Sequence, residues 1–369
     1  MRIGIDIGKA LGPLDGLARY ARGLVEGLAA ISRESGSGEN RYLLFPLFEA
    51  ADEVRFREVF PGLPPNFGFA RRRAPAAGEV DLFHCTASAV PHEAAALVYT
   101  LHDLTFLTRP TEHTLDNRLH SLRGLARGLA RGGRLIAVSE CTRRDAVRLI
   151  GVPEAEIDVV HPAVSARFRP APAPAVEAVR RRLGLDQPYV LTVGTLEPRK
   201  NLAGLIAAFG LLPERLRGER LLVAAGGPGW GSLRVEELAA SAGVADRFRR
   251  LDRVADEDLP ALCSGAELFA YPSFYEGFGL PPLEAMACGA PVVASRAGAL
   301  PEVVGEAGVL VDPHDPASIR DGLASLLDDP ARRRRLAEAG LARAATFSWE
   351  RTARETLAVY GRAAAAGAG

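Results

Sequence analysis

Lysine is nearly absent from this chain: only Lys9 and Lys200 occur, and every other permanently cationic side chain is arginine. A planar guanidinium does not replace a compact ammonium everywhere, so a lysine kept in such a chain marks a candidate functional position, with chance as the competing explanation. Cysteine is also scarce. Cys85, Cys141, Cys263 and Cys288 are scattered with no Cys-x-x-Cys pair, which excludes metal-ligand spacing and suits the reduced thiols of a cytoplasmic protein. No segment approaches the roughly 20 apolar residues of a membrane span. The opening MRIGIDIG holds a charge and glycines where a secretory h-region needs an apolar run. Net charge is absent too, because 45 Lys and Arg balance 45 Asp and Glu. No global field draws the chain to nucleic acid, and any bound anion must be held by a local site.

What is present is the pattern of a folded α/β chain. Hydrophobic residues at 48% against charged residues at 24% exclude a disordered protein, and the length predicts two domains. Strands are predicted over Arg2–Ile7, Tyr42–Pro46, Val80–Cys85, Leu97–Leu101, Arg134–Val138 and Ile157–Val160, with helices over Gly16–Arg33, Thr114–Arg131 and Glu140–Ile150. Such alternation implies parallel sheets with helices on both faces. Ala163–Pro174 is rich in Pro and Ala without periodicity and reads as a linker. The pattern then restarts, with strands over Tyr189–Gly194, Leu221–Ala225, Leu268–Tyr271, Pro291–Ala294 and Gly308–Val311. The expected fold class is therefore α/β, with two doubly wound, Rossmann-like parallel-sheet domains facing a cleft. They cover residues 1–165 and 186–346, with a linker over 166–185. A last helix near Trp349–Gly361 follows FSWERT, where Ser348 suits a cap and Trp349 an anchor. Segment 347–369 is expected to pack back toward the first domain. In such sheets ligands bind beyond the carboxyl ends of the strands.

Two motifs fall at that edge. Glu276-Gly-Phe-Gly-Leu-Pro-Pro-Leu-Glu284 follows the predicted strand ELFAYP. Gly277 and Gly279 permit close backbone approach, Pro281 and Pro282 favour a helix start, and the two carboxylates suit vicinal hydroxyls of a ribose or hexose. A salt-bridging Glu284 and a solvated Glu276 are the bland alternative. Gly194-Thr-Leu-Glu-Pro-Arg199-Lys200-Asn201 likewise lies between a strand and a helix. Two adjacent cations beside a helix N-terminus suit a diphosphate; an exposed basic turn is the alternative.

GTLEPRKN, the EGFGLPPLE stretch with its continuation AMACGAPVVAS, and Leu300-Pro301-Glu302 together resemble the GT-B-fold retaining glycosyltransferases of family 4. The resemblance extends over nearly the whole chain, through FSWERTARETLAVY. In its HDL and LEPRKN wording the chain is most similar to mannosyltransferases of surface-polysaccharide assembly. The resemblance implies a nucleotide-sugar donor, GDP-mannose, held by the second domain, and a glycan or lipid-linked acceptor held by the first. It implies no cofactor and no required metal. Arg199 and Lys200 match the diphosphate ligands, Glu284 the carboxylate on the nucleotide ribose, and Glu276 the one beside the donor sugar. The backbone of Gly277, Phe278, Gly279 and Leu280 matches the cradle under that sugar, and the backbone of Val254 the contact to the base. In the first domain, His102 matches a histidine near the sugar. Gly16 is the nearest equivalent of a phosphate-facing glycine, although Asp15-Gly16-Leu17-Ala18 departs from the family's commoner glycine pair.

Other features carry weaker readings. Asp256-Glu257-Asp258 has the form of a metal-binding Asp-x-Asp but reads more simply as an acidic helix start. Gly226–Gly231 misses both the dinucleotide and the P-loop patterns and reads as a turn lining the nucleotide side. Arg123, Arg127 and Arg131, with Leu122, Leu125 and Leu129, form a basic amphipathic helix over 118–134. It suits either an ordinary surface helix or peripheral contact with the inner face of a membrane. His161 lies near the linker without a role, and His84, His92, His113, His120 and His314 carry no signal. The expected activity is retaining hexosyl transfer, probed against a nucleotide-sugar epimerase, a glycoside hydrolase using Glu276 and Glu284, and a non-catalytic nucleotide-sugar-binding subunit.

Overall fold

The computed structural model describes residues 1–13, 15–34, 40–46, 53–87, 96–229 and 234–367; His92 and the end of the 226–231 turn lie outside them. The chain forms two compact units, Met1–Ala163 with Phe347–Gly369, and Val164–Thr346.

The first unit holds a sheet of parallel strands in the order β3-β2-β1-β4-β5-β6-β7. These are β1 Arg2–Asp6, β2 Arg41–Phe45, β3 Phe67–Phe69, β4 Leu82–Cys85, β5 Ala96–Leu101, β6 Arg134–Ala137 and β7 Ile157–Val159. The central strands β4 and β5 are buried at every residue, as unbroken apolar runs require when both sheet faces are covered. The sequence pattern gives no sign of β3, whose three residues, Phe-Gly-Phe, are too few to show a period. It is placed by the stacking of Phe67 on Tyr42, with ring centroids 4.3 Å apart.

The helix Trp349–Gly367 belongs to this unit and lies along the helix Gly16–Glu34. Ser348 Oγ caps it by accepting the Arg351 N–H at 3.2 Å. Close approach depends on Gly23: a Cβ there would stand 1.9 Å from the Trp349 indole. Deeper along the same helix, Tyr360 Oη meets His84 Nδ1 at 2.7 Å, and His84 Nε2 meets Thr100 Oγ1 at 2.7 Å. Thr100 Oγ1 in turn lies 3.1 Å from Tyr20 Oη. Burial pushes the His84 imidazole down to about 3, so this chain of hydrogen bonds is neutral. It ties the last helix, β4, β5 and the helix Gly16–Glu34 together.

The basic segment forms the helix Leu115–Ala130, capped by Thr114, with Leu125 and Gly128 buried. Leu115 and Leu119 face out, 66% and 37% exposed, beside exposed Arg123 and Arg127. Among the described residues no helix is long and apolar enough to cross a membrane.

The second unit repeats the plan in the order β10-β9-β8-β11-β12-β13, all pairs parallel. These are β8 Tyr189–Val193, β9 Leu221–Ala225, β10 Phe248–Leu251, β11 Leu268–Tyr271, β12 Val292–Ser295 and β13 Gly308–Val311. The strand β10 escapes the sequence reading because it is an edge strand whose central residues, Arg249 and Arg250, are exposed. The expected linker over 166–185 is corrected: it contains the helix Ala173–Arg182, which belongs to the second unit and buries Val179. Pro174 sits in its first turn, where a fixed φ starts a helix instead of breaking one. The Asp-x-Asp stretch is likewise anchored by arginines, with Asp258 2.5 Å from Arg182 and Asp256 3.9 Å from Arg167. The following helix starts at Leu259, and Asp258 does not cap it through its side chain.

Three loops at the carboxyl edge of this sheet are tied by one residue. Asn201 adopts the left-handed conformation, φ 55°, which asparagine tolerates better than other non-glycine residues. Its Oδ1 caps the helix Leu202–Gly210 by accepting the Gly204 N–H at 3.1 Å. Its Nδ2 donates to the Pro272 carbonyl at 3.0 Å and the Pro313 carbonyl at 2.7 Å, beyond β11 and β13. The substitution Asn201→Ala should remove the cap, strand two buried carbonyls and strain the backbone. We expect a loss of about 2–4 kcal/mol in urea unfolding; a loss below about 0.5 kcal/mol would contradict this account.

Candidate active site

Each sheet reverses its strand order once, between β1 and β4 in the first unit and between β8 and β11 in the second. At such a reversal the connections leave toward opposite faces, and a crevice opens at the carboxyl edge. The GTLEPRKN and EGFGLPPLE motifs follow β8 and β11, so topology brings to one crevice two segments some 76 positions apart in sequence.

The residues meet in a buried ion cluster. Arg199 Nη1 donates to Glu276 Oε2 at 2.9 Å and to the Tyr275 carbonyl at 2.8 Å, while its Nη2 donates to Glu197 Oε1 at 2.7 Å. Lys200 Nζ donates to Glu276 Oε1 and to Tyr271 Oη, both at 2.8 Å, and lies 3.9 Å from Glu197 Oε1. Burial alone would raise the Glu276 carboxyl, but Arg199 and Lys200 outweigh it and bring the pKa down to about 2. Burial, followed by the nearby Arg199, lowers Lys200 from the ordinary lysine value against the pull of Glu276 and Glu197. Tyr271 is raised well above the usual phenol range, chiefly by burial and then by Glu276.

The turns that present these groups are fixed by backbone. The 3-10 turn Pro198–Lys200 closes with Lys200 N–H donating to the Glu197 carbonyl at 3.0 Å. Phe274 N–H donates to the Arg199 carbonyl at 2.9 Å, joining the two loops directly. Behind Glu276 lies Gly298, φ 61°, where a Cβ would stand 2.5 Å from the Glu276 carbonyl oxygen. Ala299 N–H donates to that same oxygen at 2.9 Å. Gly279 turns at φ 121° and opens the helix Leu280–Ala287, which starts two residues earlier than the sequence suggests. Phe278 is buried, and Glu284 is 6% exposed in the second turn of that helix.

The remaining expected residue of this unit, Val254, follows β10, partly buried. β10 lies two strands from β8, and β11 is the next strand beyond it. At about 4.8 Å per strand, the positions of Val254, Lys200 and Glu276 step along one edge in that order. The Gly226–Gly229 part of the glycine-rich turn pairs with the GTLEPRKN turn. There Leu196 N–H donates to the Gly227 carbonyl at 3.0 Å and Gly229 N–H to the Leu196 carbonyl at 3.2 Å. Its direct role is thus to hold the Glu197 turn in place.

In the first unit His102 lies just beyond β5. Its Nε2 is 2.7 Å from the Thr86 carbonyl oxygen, which can only accept, so Nε2 carries the proton. Burial lowers the imidazole from its ordinary value; the neutral ring therefore presents Nδ1 as an acceptor. Tyr20 stands edge-on to it, with centroids 4.9 Å apart at 90°. The adjacent Asp103 turns back to accept from Thr105 N–H and Oγ1 and is structural. Nearby at the strand reversal, Asp6 Oδ1 accepts the Gly8 N–H at 2.8 Å, and burial raises its carboxyl to about 7. Gly16 begins the helix Gly16–Glu34 in open space, where a Cβ would meet nothing within 4 Å. The departure noted at Asp15 has a local cause: its Oδ1 accepts the Ala18 N–H at 2.8 Å and caps that helix. His161 packs edge-on against Phe347.

Sequence reasoning missed Glu197, Tyr271, Asn201 and Gly298 in the second unit, and His84 in the first. Asn201 carried a readable signal, an asparagine directly before the apolar helix LAGLIAAF. The others carried none.

Comparison with known proteins agrees with this arrangement. Residues 176–343 match the family described as Glycosyl transferases group 1, and residues 14–168 match Glycosyltransferase Family 4. The O-antigen chain mannosyltransferase B of Escherichia coli is 37% identical over 280 residues, 76% of this chain and 74% of the relative. The D-inositol 3-phosphate glycosyltransferase of Salinispora tropica is 40% identical over 252 residues, 64% of this chain and 52% of that relative. Among solved structures, sucrose-phosphate synthase from Thermosynechococcus elongatus superposes with a TM-score of 0.75 at 22% identity, covering 99% of each chain. Anabaena HepE in complex with UDP-glucose gives 0.73 at 21% identity, covering 98% of this chain and 100% of that one. With two Rossmann-like parallel sheets, family matches in each unit and a relative similar over three quarters of its length, this chain belongs to the GT-B glycosyltransferases of family 4, group 1, and is a glycosyltransferase.

Proposed function

We propose that the chain transfers a hexose, mannose, from GDP-mannose to a glycan or lipid-linked acceptor, with retention of the donor's anomeric configuration. The observation that carries the reading is the Arg199–Lys200 pair at the β8–β11 reversal, cross-linked through Glu276. The choice of mannose is supported by the name of the Escherichia coli relative, an O-antigen chain mannosyltransferase.

Transfer breaks the bond between the sugar's anomeric carbon and the β-phosphate oxygen, so negative charge grows on that phosphate. Arg199 and Lys200 are held in place before the reaction, and such preorganised cations stabilise developing charge most strongly where water is scarce. Glu276, ionised and fixed by both cations, accepts from hydroxyls of the donor sugar, and Glu284 accepts from the ribose. His102 Nδ1 is a further hydroxyl acceptor. The acceptor hydroxyl attacks from the face the leaving phosphate departs, and its proton passes to that phosphate as the new glycosidic bond forms. Hydrolase chemistry fits poorly: a general acid must be protonated near neutral pH, whereas Glu276 sits at about 2 in two ion pairs.

The same reading extends to the acceptor's setting. Leu115 and Leu119 face solvent beside Arg123 and Arg127, a combination that suits the surface of an anionic bilayer. The protein should therefore co-sediment with vesicles containing phosphatidylglycerol and not with purely zwitterionic ones, and Leu115→Glu with Leu119→Glu should abolish the difference. Equal pelleting with both lipids would count against it.

For the donor site, Lys200→Ala should lower transfer from GDP-mannose by about a hundred- to a thousandfold while circular dichroism and thermal unfolding show a folded protein. GDP should raise the melting temperature of the wild type more than UDP or ADP does, by mass action. Wild-type turnover in the alanine variant would remove the clamp assignment, and a preference for another nucleotide would replace the guanine.

A further inference from the structure

The ion cluster contains one more carboxylate than the donor reading uses. Glu276 is accounted for by the sugar's hydroxyls and Glu284 by the ribose. Glu197 is not. It is 2% exposed, its carboxylate contacts go to Arg199 at 2.7 Å and Lys200 at 3.9 Å, and a diphosphate approaching those two cations would be repelled by it. With Glu276 it makes the cluster's formal charge zero: two cations against two carboxylates. If Arg199 needed only an anchor, a neutral oxygen would serve, as the Tyr275 carbonyl already does at 2.8 Å. Burying a further charge is costly, and its presence calls for an electrostatic role.

That role follows from the difference between donor and product. The nucleoside diphosphate product bears one more ionisable oxygen than the donor's esterified diphosphate. A strongly positive clamp would therefore hold the product more tightly than the donor. Binding that does not distinguish ground state from transition state gives no rate advantage, and tight product binding slows turnover. We propose that Glu197 is a positioning residue that aims the Arg199 guanidinium and offsets the clamp's positive charge, so that the nucleoside diphosphate leaves after transfer. This rests on the diphosphate reading of Arg199 and Lys200.

The test compares wild type, Glu197→Gln and Glu197→Asp by calorimetric titration with GDP, UDP and ADP, and by product inhibition of transfer with whichever nucleotide binds. Glutamine keeps an acceptor for Arg199 but removes the charge; aspartate keeps the charge. Removing one buried charge a few ångströms from the clamp should tighten nucleoside diphosphate binding by about tenfold or more. Glu197→Gln should show that gain in both affinity and product inhibition, with a lower kcat, and Glu197→Asp should stay near wild type. If the glutamine variant does not fold, Glu197→Asn also removes the charge while keeping an amide oxygen as acceptor for Arg199, and it carries the same expected sign. A merely structural Glu197 predicts the opposite: loss of the aimed guanidinium weakens binding. Wild type binding a nucleotide while Glu197→Gln binds it equally or more weakly would overturn the proposal and leave the clamp standing. Failure of wild type to bind any of the three would overturn the clamp itself, and this inference with it.

Discussion

Two cations and two carboxylates share one buried crevice in the second unit, and that constraint shapes everything around them. A charge taken out of water is costly unless an opposite charge and good hydrogen bonds meet it. Arg199 therefore engages both terminal nitrogens, and Lys200 donates to a carboxylate and a phenol. Each partner must be held in good geometry, or the gain no longer offsets desolvation. The backbone work follows from this demand. Asn201 spans the ends of three strands, the 226–229 turn pairs with the Glu197 turn, and Gly298 leaves room for the Glu276 main chain. None of these touches a charge, yet each fixes where one stands.

The first unit solves a similar problem with the opposite chemistry. Among the described residues near its carboxyl edge, burial keeps His84 neutral, lowers His102 and raises the Asp6 carboxyl to about 7. Hydrogen bonds between neutral groups connect Tyr360 to Tyr20, and Tyr20 packs against His102. The hydrogen-bonded groups are buried and satisfy one another, whereas the second unit gathers ionised groups into one cluster.

The sequence made some of this legible and hid the rest for identifiable reasons. The helix Glu140–Ile150 begins where it is read to begin, because the Ser139 hydroxyl before it accepts the Thr142 N–H and caps it. β3 and β10 were hidden because short or arginine-bearing edge strands show no apolar period, and the helix Ala173–Arg182 because its prolines look like breakers. Arg199, Lys200 and Glu276 were legible as local motifs beside strands. Their meeting is not local, since it requires β11, rather than β9 alone, to neighbour β8. Glu197 and Tyr271 acquire meaning only from that adjacency. His84 acquires its own from Tyr360, 276 positions away.

The scarcity of lysine now has a physical explanation at one of its two sites. Lys9 is exposed, and nothing in the structure explains why it is not arginine. Lys200 differs. Its ammonium sits between Tyr271 Oη and Glu276 Oε1, each at 2.8 Å, and over the Tyr271 ring at 5.3 Å. Its two acceptors, one on each of two side chains, converge on a single nitrogen. A planar guanidinium presents donors in a fixed fork, whereas an ammonium is a compact point charge. Position 199 asks for the reverse, because its two terminal nitrogens answer Glu276 on one side and Glu197 on the other. The order Arg-Lys is therefore not two interchangeable positive charges but a fork followed by a point, each matched to the acceptors that its position meets.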